Sequence, residues 1–128
     1  MTVSPFDHPS LSALLGDEET ARHFSFEAEM AAMLTFERAL AQAQAEEGVI
    51  EQAAAGAIAA ALATFTPDRD ALRQGVARDG VIVPELVRQL RAAVGSPHAD
   101  RLHFGATSQD VIDTALVLRL VAIVQRLD

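Results

Sequence analysis

Residues 102–127 read LHFGATSQDVIDTALVLRLVAIVQRL, and most of the chain's character can be worked out from them. The stretch has two halves. The first, His103-Phe104-Gly105-Ala106-Thr107-Ser108-Gln109-Asp110, is polar and carries a glycine near its start. The second is apolar: between Val111 and Leu127, twelve of seventeen residues are hydrophobic. Arg119 and Arg126 lie seven apart, so on a helix they share one face and leave the rest of the circumference apolar. A helix of this kind is buried on several sides or inserted in a membrane. Arg119 interrupts the run short of the roughly 20 apolar residues a span needs, which favours a helix in a bundle. The run reaches Asp128 without a turn signal, so the helix is expected to be cut in mid-course or completed by other chains.

The polar half is suited to recognition. Gly105 allows an unusual φ or a close backbone approach. Thr107 and Ser108 bring two hydroxyls and two backbone N–H groups to the start of a helix, where free donors suit a carboxylate. His103 can donate to the same anion or move a proton. Thr107 or Ser108 followed by Asp110 also reads as an N-cap with an acid in the first turn. The two roles are compatible, because a cap uses only some of these groups.

Upstream, the sequence spells out one helix after another. Pro5 and Pro9 mark residues 1–10 as an extended arm. Ser10 is the expected cap of a short helix through Leu15, stopped at Gly16. Residues 17–47 form the strongest helix. Asp17, Glu18 and Glu19 suit its start. Phe26, Met30, Met33, Leu34, Leu40 and Ala41 recur at helical spacing, and a bend is expected near residues 23–25. Glu37 sits in that apolar stripe, where it is expected to pair with a buried donor. Gly48 ends this helix. An Ala-rich helix over residues 51–63 places Ile58 and Leu62 on one face. Another runs from the Thr66-Pro67-Asp68 break to about Arg78. Asp79-Gly80 is a turn, Val81-Ile82-Val83 is briefly β-like, and Pro84 opens a helix to about Val94. Gly95-Ser96-Pro97 closes it, and residues 98–106 are a connector. The expected class is all-α, with residues 1–106 as one helical domain and residues 107–128 as the start of a second.

Composition narrows the function. The chain has 128 residues, half of them apolar, which fits one domain of ordinary size. A net charge of −8 argues against binding nucleic acid or an anionic membrane, yet leaves room for a small anionic substrate in a local pocket of donors. There is no cysteine, so disulfides, thiolate zinc sites and a thiol nucleophile are excluded. The four histidines show no metal-ligand spacing. His8 and His23 read as surface or helix-end residues, and His98 as exposed. Arg69, Arg73 and Arg78 read as a solvated face, and Met30 and Met33 as core. No secretory signal opens the sequence, so a cytoplasmic location is expected.

The run from Gly105 through Thr114, GATSQDVIDT, resembles the first signature region of the fumarase/aspartase superfamily. Phe36-Glu37-Arg38-Ala39-Leu40-Ala41-Gln42-Ala43 is similar to an early helix of that family, and Val83-Pro84-Glu85-Leu86-Val87 to its apolar-Pro-x-Leu-Val segment. The likeness is closest to the muconate-cycloisomerase branch. The adenylosuccinate-lyase branch typically has a histidine upstream, where this chain reads Ala77-Arg78-Asp79-Gly80. The resemblance implies the N-terminal helical domain of that fold, followed by the first part of a long central-bundle helix. It implies a homotetramer whose active sites draw on three subunits, needing neither metal nor organic cofactor. The implied reaction closes 3-carboxymuconate to a lactone in the β-ketoadipate route of aromatic degradation. Thr107, Ser108, His103, Gln109 and Asp110 are the implied substrate-binding residues, with His103 a possible auxiliary in catalysis. Two further signature regions, carrying the main proton-transfer groups, are expected beyond residue 128, so the 128-residue chain alone is expected to be inactive. The other reading of the residues is a self-associating helical module whose Thr-Ser pair only caps the last helix.

Overall fold

A computed structural model describes residues 4–127. The described residues are helical, in the order α1 (Ser12–Leu15), α2 (Glu18–Arg22), α3 (Phe26–Glu46), α4 (Gln52–Ala63), α5 (Arg69–Asp79), α6 (Val83–Val94), a 3₁₀ turn (Ala99–Arg101) and α7 (Ser108–Leu127). The all-α expectation holds.

α3 is the spine. Ser25 caps it, its Oγ accepting from the Ala28 N–H at 3.1 Å, and Glu27 and Glu29 lie in the first turn. Met30, Met33, Glu37, Ala41 and Ala45 recur every three or four residues and are all buried. The expected bend at residues 23–25 is a full break between α2 and α3. α4 buries Ala54, Ile58 and Leu62 at four-residue spacing against the same core. α6 contributes Val83, Leu86, Val87 and Leu90, and α7 adds Val111 and Ala115.

Two polar devices lock α5 onto α6. Asp68 caps α5 by accepting from the Ala71 N–H at 3.0 Å, while its own backbone N–H donates to Gln89 Oε1 at 2.9 Å. Gly75 faces Glu85 so closely that an added Cβ would lie 2.5 Å from the Glu85 Cβ, so the contact admits only glycine. Glu85 is itself buried and takes two hydrogen bonds from Arg88, at 2.8 and 2.5 Å, and one from Gln89 at 3.0 Å. Those bonds, Arg88's first, hold its carboxyl down at about 2.

The arginine face of α7 meets the N-terminal helices. Arg126 donates to Glu19 at 2.7 Å and to Asp17 and Thr20 at 2.9 Å. Arg119 reaches the His23 carbonyl at 3.4 Å and lies 3.8 Å from Glu29. No described helix is long and apolar enough to cross a membrane.

The structure corrects several expectations. Val81-Ile82-Val83 forms no strand: Ile82 is already in the right-handed helical region and Val83 begins α6. Ile82 and Val83 pack into the core, and Pro84 suits a helix's first turn, so packing overrides β propensity. Ser10 does not cap α1. Leu11 holds the cap position, with no side-chain bond. The described part of the N-terminal arm, residues 4–10, is turned rather than extended, and residues 1–3 lie outside the described residues. His98 is half-buried rather than exposed. The apolar circumference of α7 is bare within this chain: Leu116, Val117, Leu118, Leu120, Val121 and Val124 are all exposed.

Candidate functional site

The segment that joins the 3₁₀ turn to α7 has an irregular backbone held from several sides. Leu102 is fully buried. His103 has φ +59°, in the left-handed region that a side chain with a Cβ seldom adopts, and Gly105 follows at φ +72°. Gly105 therefore serves as expected, through its φ; a Cβ there would meet no neighbouring atom, so space is not what requires glycine.

Three side chains from two helices fix this backbone. Arg91 of α6 donates to the Leu102 carbonyl at 3.2 and 3.4 Å. Gln44 of α3 donates to the Phe104 carbonyl at 2.6 Å. Glu37 of α3 takes the His103 ring, with Nδ1 and Oε1 2.6 Å apart. Glu37 is only 2% exposed, and its other oxygen has no partner among the described residues. The expectation that Glu37 has a polar partner in the stripe holds, and that partner is the part-buried His103 ring. Arg101 bridges to Glu51 at 3.2 Å and lies over the Phe104 ring.

The start of α7 is a capping box. Asp110 accepts from the Thr107 backbone N–H at 2.7 Å and from the Thr107 hydroxyl at 2.9 Å; the Asp110 N–H points back to Thr107 Oγ1 at 3.4 Å. Those two bonds from Thr107, backbone first, hold the Asp110 carboxyl below the usual range, and the nearby His103 adds to the effect. Gln109 donates to Asp113 at 2.5 Å. Ser108, half-buried, takes no part in this network.

The five residues singled out from sequence thus lie together, and they divide by use. Thr107 and Asp110 serve each other as cap partners, and Gln109 is turned to Asp113. Ser108 keeps its hydroxyl, and the backbone N–H groups of Ser108 and Gln109, at the start of the helix, have no intrahelical partner. His103 has no protein hydrogen bond at Nε2 among the described residues. Sequence reasoning missed Gln44 and Arg91. Glu37 and Gln44 are seven apart on α3, hence on one face, and two polar residues in an apolar stripe are the signal that was available for Gln44. Nothing local marks Arg91. No group of three or more His, Asp or Glu able to hold a metal occurs among the described residues.

No family model matches the chain. It is 46% identical over 99 residues to a 3-carboxy-cis,cis-muconate cycloisomerase of Bradyrhizobium diazoefficiens, over 75% of this chain and 22% of the relative. It is 31% identical to an adenylosuccinate lyase of Methanocaldococcus jannaschii, over 90% of this chain and 24% of that protein. Its backbone matches the crystal structure of a 3-carboxy-cis,cis-muconate lactonizing enzyme from Pseudomonas putida with a TM-score of 0.81 at 34% identity, over 94% of this chain and 28% of that one. The chain therefore spans about a quarter of the length of the relatives it matches. The all-α fold and the likeness read from GATSQDVIDT are both borne out.

Proposed function

We infer that this chain is the N-terminal portion of a fumarase/aspartase-superfamily enzyme that closes 3-carboxy-cis,cis-muconate to a lactone. The observation that carries the reading is the match to cycloisomerases in both sequence and fold, on a chain that has the Thr-Ser pair at the start of α7. In the reaction a carboxylate oxygen of the substrate adds to a carbon–carbon double bond. The π electrons move toward the neighbouring carbon and its carboxylate, giving an enolate-like state. A proton then reaches that carbon, and the lactone is formed.

This chain's part is recognition. The Ser108 hydroxyl, the first N–H groups of α7 and His103 are donors that can meet a substrate carboxylate, and they gain most as charge builds there. Thr107 holds the helix start through Asp110, and Gln109 lines the same turn. The acids at positions 110 and 113 mean that this segment supplies oriented donors and little positive charge. The remaining charge, and the main proton-transfer groups, belong to other parts of the enzyme. The 128-residue chain alone is accordingly inactive.

The bare apolar face of α7 supports an assembly in which other chains cover it. We take residues 1–106 as the helical domain and residues 107–128 as the beginning of a central bundle, in a cytoplasmic homotetramer. The weaker likeness to adenylosuccinate lyase defines the second reading, a lyase that splits a succinyl-type substrate by the reverse chemistry. The test is turnover by the full-length enzyme of 3-carboxy-cis,cis-muconate and of adenylosuccinate. Lactone formation is the expected result, and turnover of adenylosuccinate alone would overturn the assignment.

A further inference from the structure

We propose that Glu37 is a positioning residue for His103: its carboxylate keeps the ring proton on Nδ1 and leaves Nε2 as the nitrogen that faces chemistry. The proposal rests on the reading of the α7 start as a carboxylate-binding segment.

Three observations carry it. The first is the pair itself. Glu37 Oε1 lies 2.6 Å from His103 Nδ1, across 66 residues of sequence, with the Glu37 side chain 1% exposed and the His103 side chain 13%. At 2.6 Å one proton is shared between the two atoms, and as a carboxylate Glu37 offers only acceptors, which in this proposal places that proton on the ring nitrogen. The second is how poorly the pair serves stability. Glu37 sits on the apolar stripe of α3 beside Met33 and Ala41, and its Oε2 has no partner among the described residues. Buried ion pairs are often matched or bettered by apolar residues of similar volume, and a carboxylate with one bond is a weak use of a core position. The third is the backbone. His103 holds φ +59°, where glycine or asparagine would sit more easily. An unfavourable backbone and a half-satisfied buried acid meet on one ring, and that ring lies beside the capping box. Strain concentrated in this way is a mark of sites where side-chain placement matters.

The consequence is specific to tautomer. With Nδ1 protonated and turned to Glu37, a neutral His103 presents Nε2 as an acceptor, and a protonated ring presents a donor in the same direction. Glu37→Gln has nearly the same shape but offers an amide NH₂ that can donate to Nδ1, which would move the proton to Nε2. Glu37→Asp keeps the carboxylate.

Two measurements test this. In ¹⁵N-histidine-labelled protein at alkaline pH, where imidazole is neutral, two-bond ¹H–¹⁵N correlations report the tautomer. The His103 signal is identified by its loss in His103→Asn. The expected result is a proton on Nδ1 in the wild type and in Glu37→Asp, and loss of that preference in Glu37→Gln. A wild-type ring protonated on Nε2 would overturn the proposal, whatever the variants do. In the full-length enzyme, partners that orient an imidazole are worth roughly 10–100-fold where metal sites have been studied. Glu37→Gln is expected to lower kcat/KM on 3-carboxy-cis,cis-muconate by about that factor, with most of the loss recovered in Glu37→Asp. A Glu37→Gln enzyme with changed tautomer and wild-type kcat/KM would overturn the proposal. A wild-type enzyme inert toward that substrate would instead sink the proposed function, and the tautomer experiment would then decide the role of Glu37 by itself.

Discussion

Residues 102–105 and the outer half of α7 are neighbours in sequence and are held in opposite ways. The loop has an unfavourable backbone, yet α3 and α6 grip it through Glu37, Gln44 and Arg91. The outer half of α7 has an easy helical backbone, yet Val117, Val121 and Val124 stand on one face about half exposed. One region is complete within the chain. The other leaves its apolar surface uncovered within the chain.

The contrast can be broken most sharply with two leucines. Leu102 is fully buried and Leu120 is 40% exposed. Leu102→Ala is expected to destabilise the 128-residue chain by about 2–5 kcal/mol, whereas Leu120→Ala changes it by no more than about 0.5 kcal/mol. Denaturant unfolding of the two variants measures both. In the intact enzyme the order changes: Leu120→Glu is expected to separate the subunits, read as a lower mass by light scattering. Equal costs for the two leucines in the 128-residue chain would end the comparison.

A smaller effect sharpens it from the side of pH. Glu85, on the well-satisfied α5–α6 contact, has an ordinary value of 4.5 and is held at about 2 in the folded chain. A carboxyl lowered by folding stabilises the fold above its unfolded value and loses that contribution as pH falls toward its folded value. Stability is therefore expected to decline from about pH 4.5 downward. Asp17, held at about 2 by its bonds from Thr20 and then Arg126, adds to the same decline. Glu85→Gln should flatten that acid limb in a series of unfolding curves. An unchanged limb would show that the Glu85–Arg88 pair is as strong in the unfolded chain.

How much of this is legible in sequence follows the same division. Most of the helices are, because they carry their own marks: Gly48 past the end of α3, the Thr66-Pro67-Asp68 break before α5, Pro84 in a first turn, apolar residues every three or four positions on α3 and α4. The polar half of residues 102–127 also announces itself, since Gly105, Thr107, Ser108 and Asp110 act on their own neighbours. What is not legible acts at a distance. That Glu37 needs a donor follows from its place in the stripe, but the identity of that donor depends on how α7's approach crosses α3. Arg91 and Gln44 are in the same position: their partners are backbone carbonyls, which no side-chain pattern records. The β-like reading of Val81-Ile82-Val83 fails for a related reason, because the burial of Ile82 and Val83 against the core decides the matter.

The capping box turns the central claim into a comparison of two adjacent hydroxyls. Thr107 is bonded to Asp110, and Ser108 is not part of that cap. If the start of α7 binds a substrate carboxylate, Ser108→Ala in the intact enzyme lowers kcat on 3-carboxy-cis,cis-muconate by roughly 10²–10³ with the melting temperature unchanged. Thr107→Ala loses about 1 kcal/mol of stability as well. Full activity in Ser108→Ala would contradict the account and leave the segment as a helix cap alone.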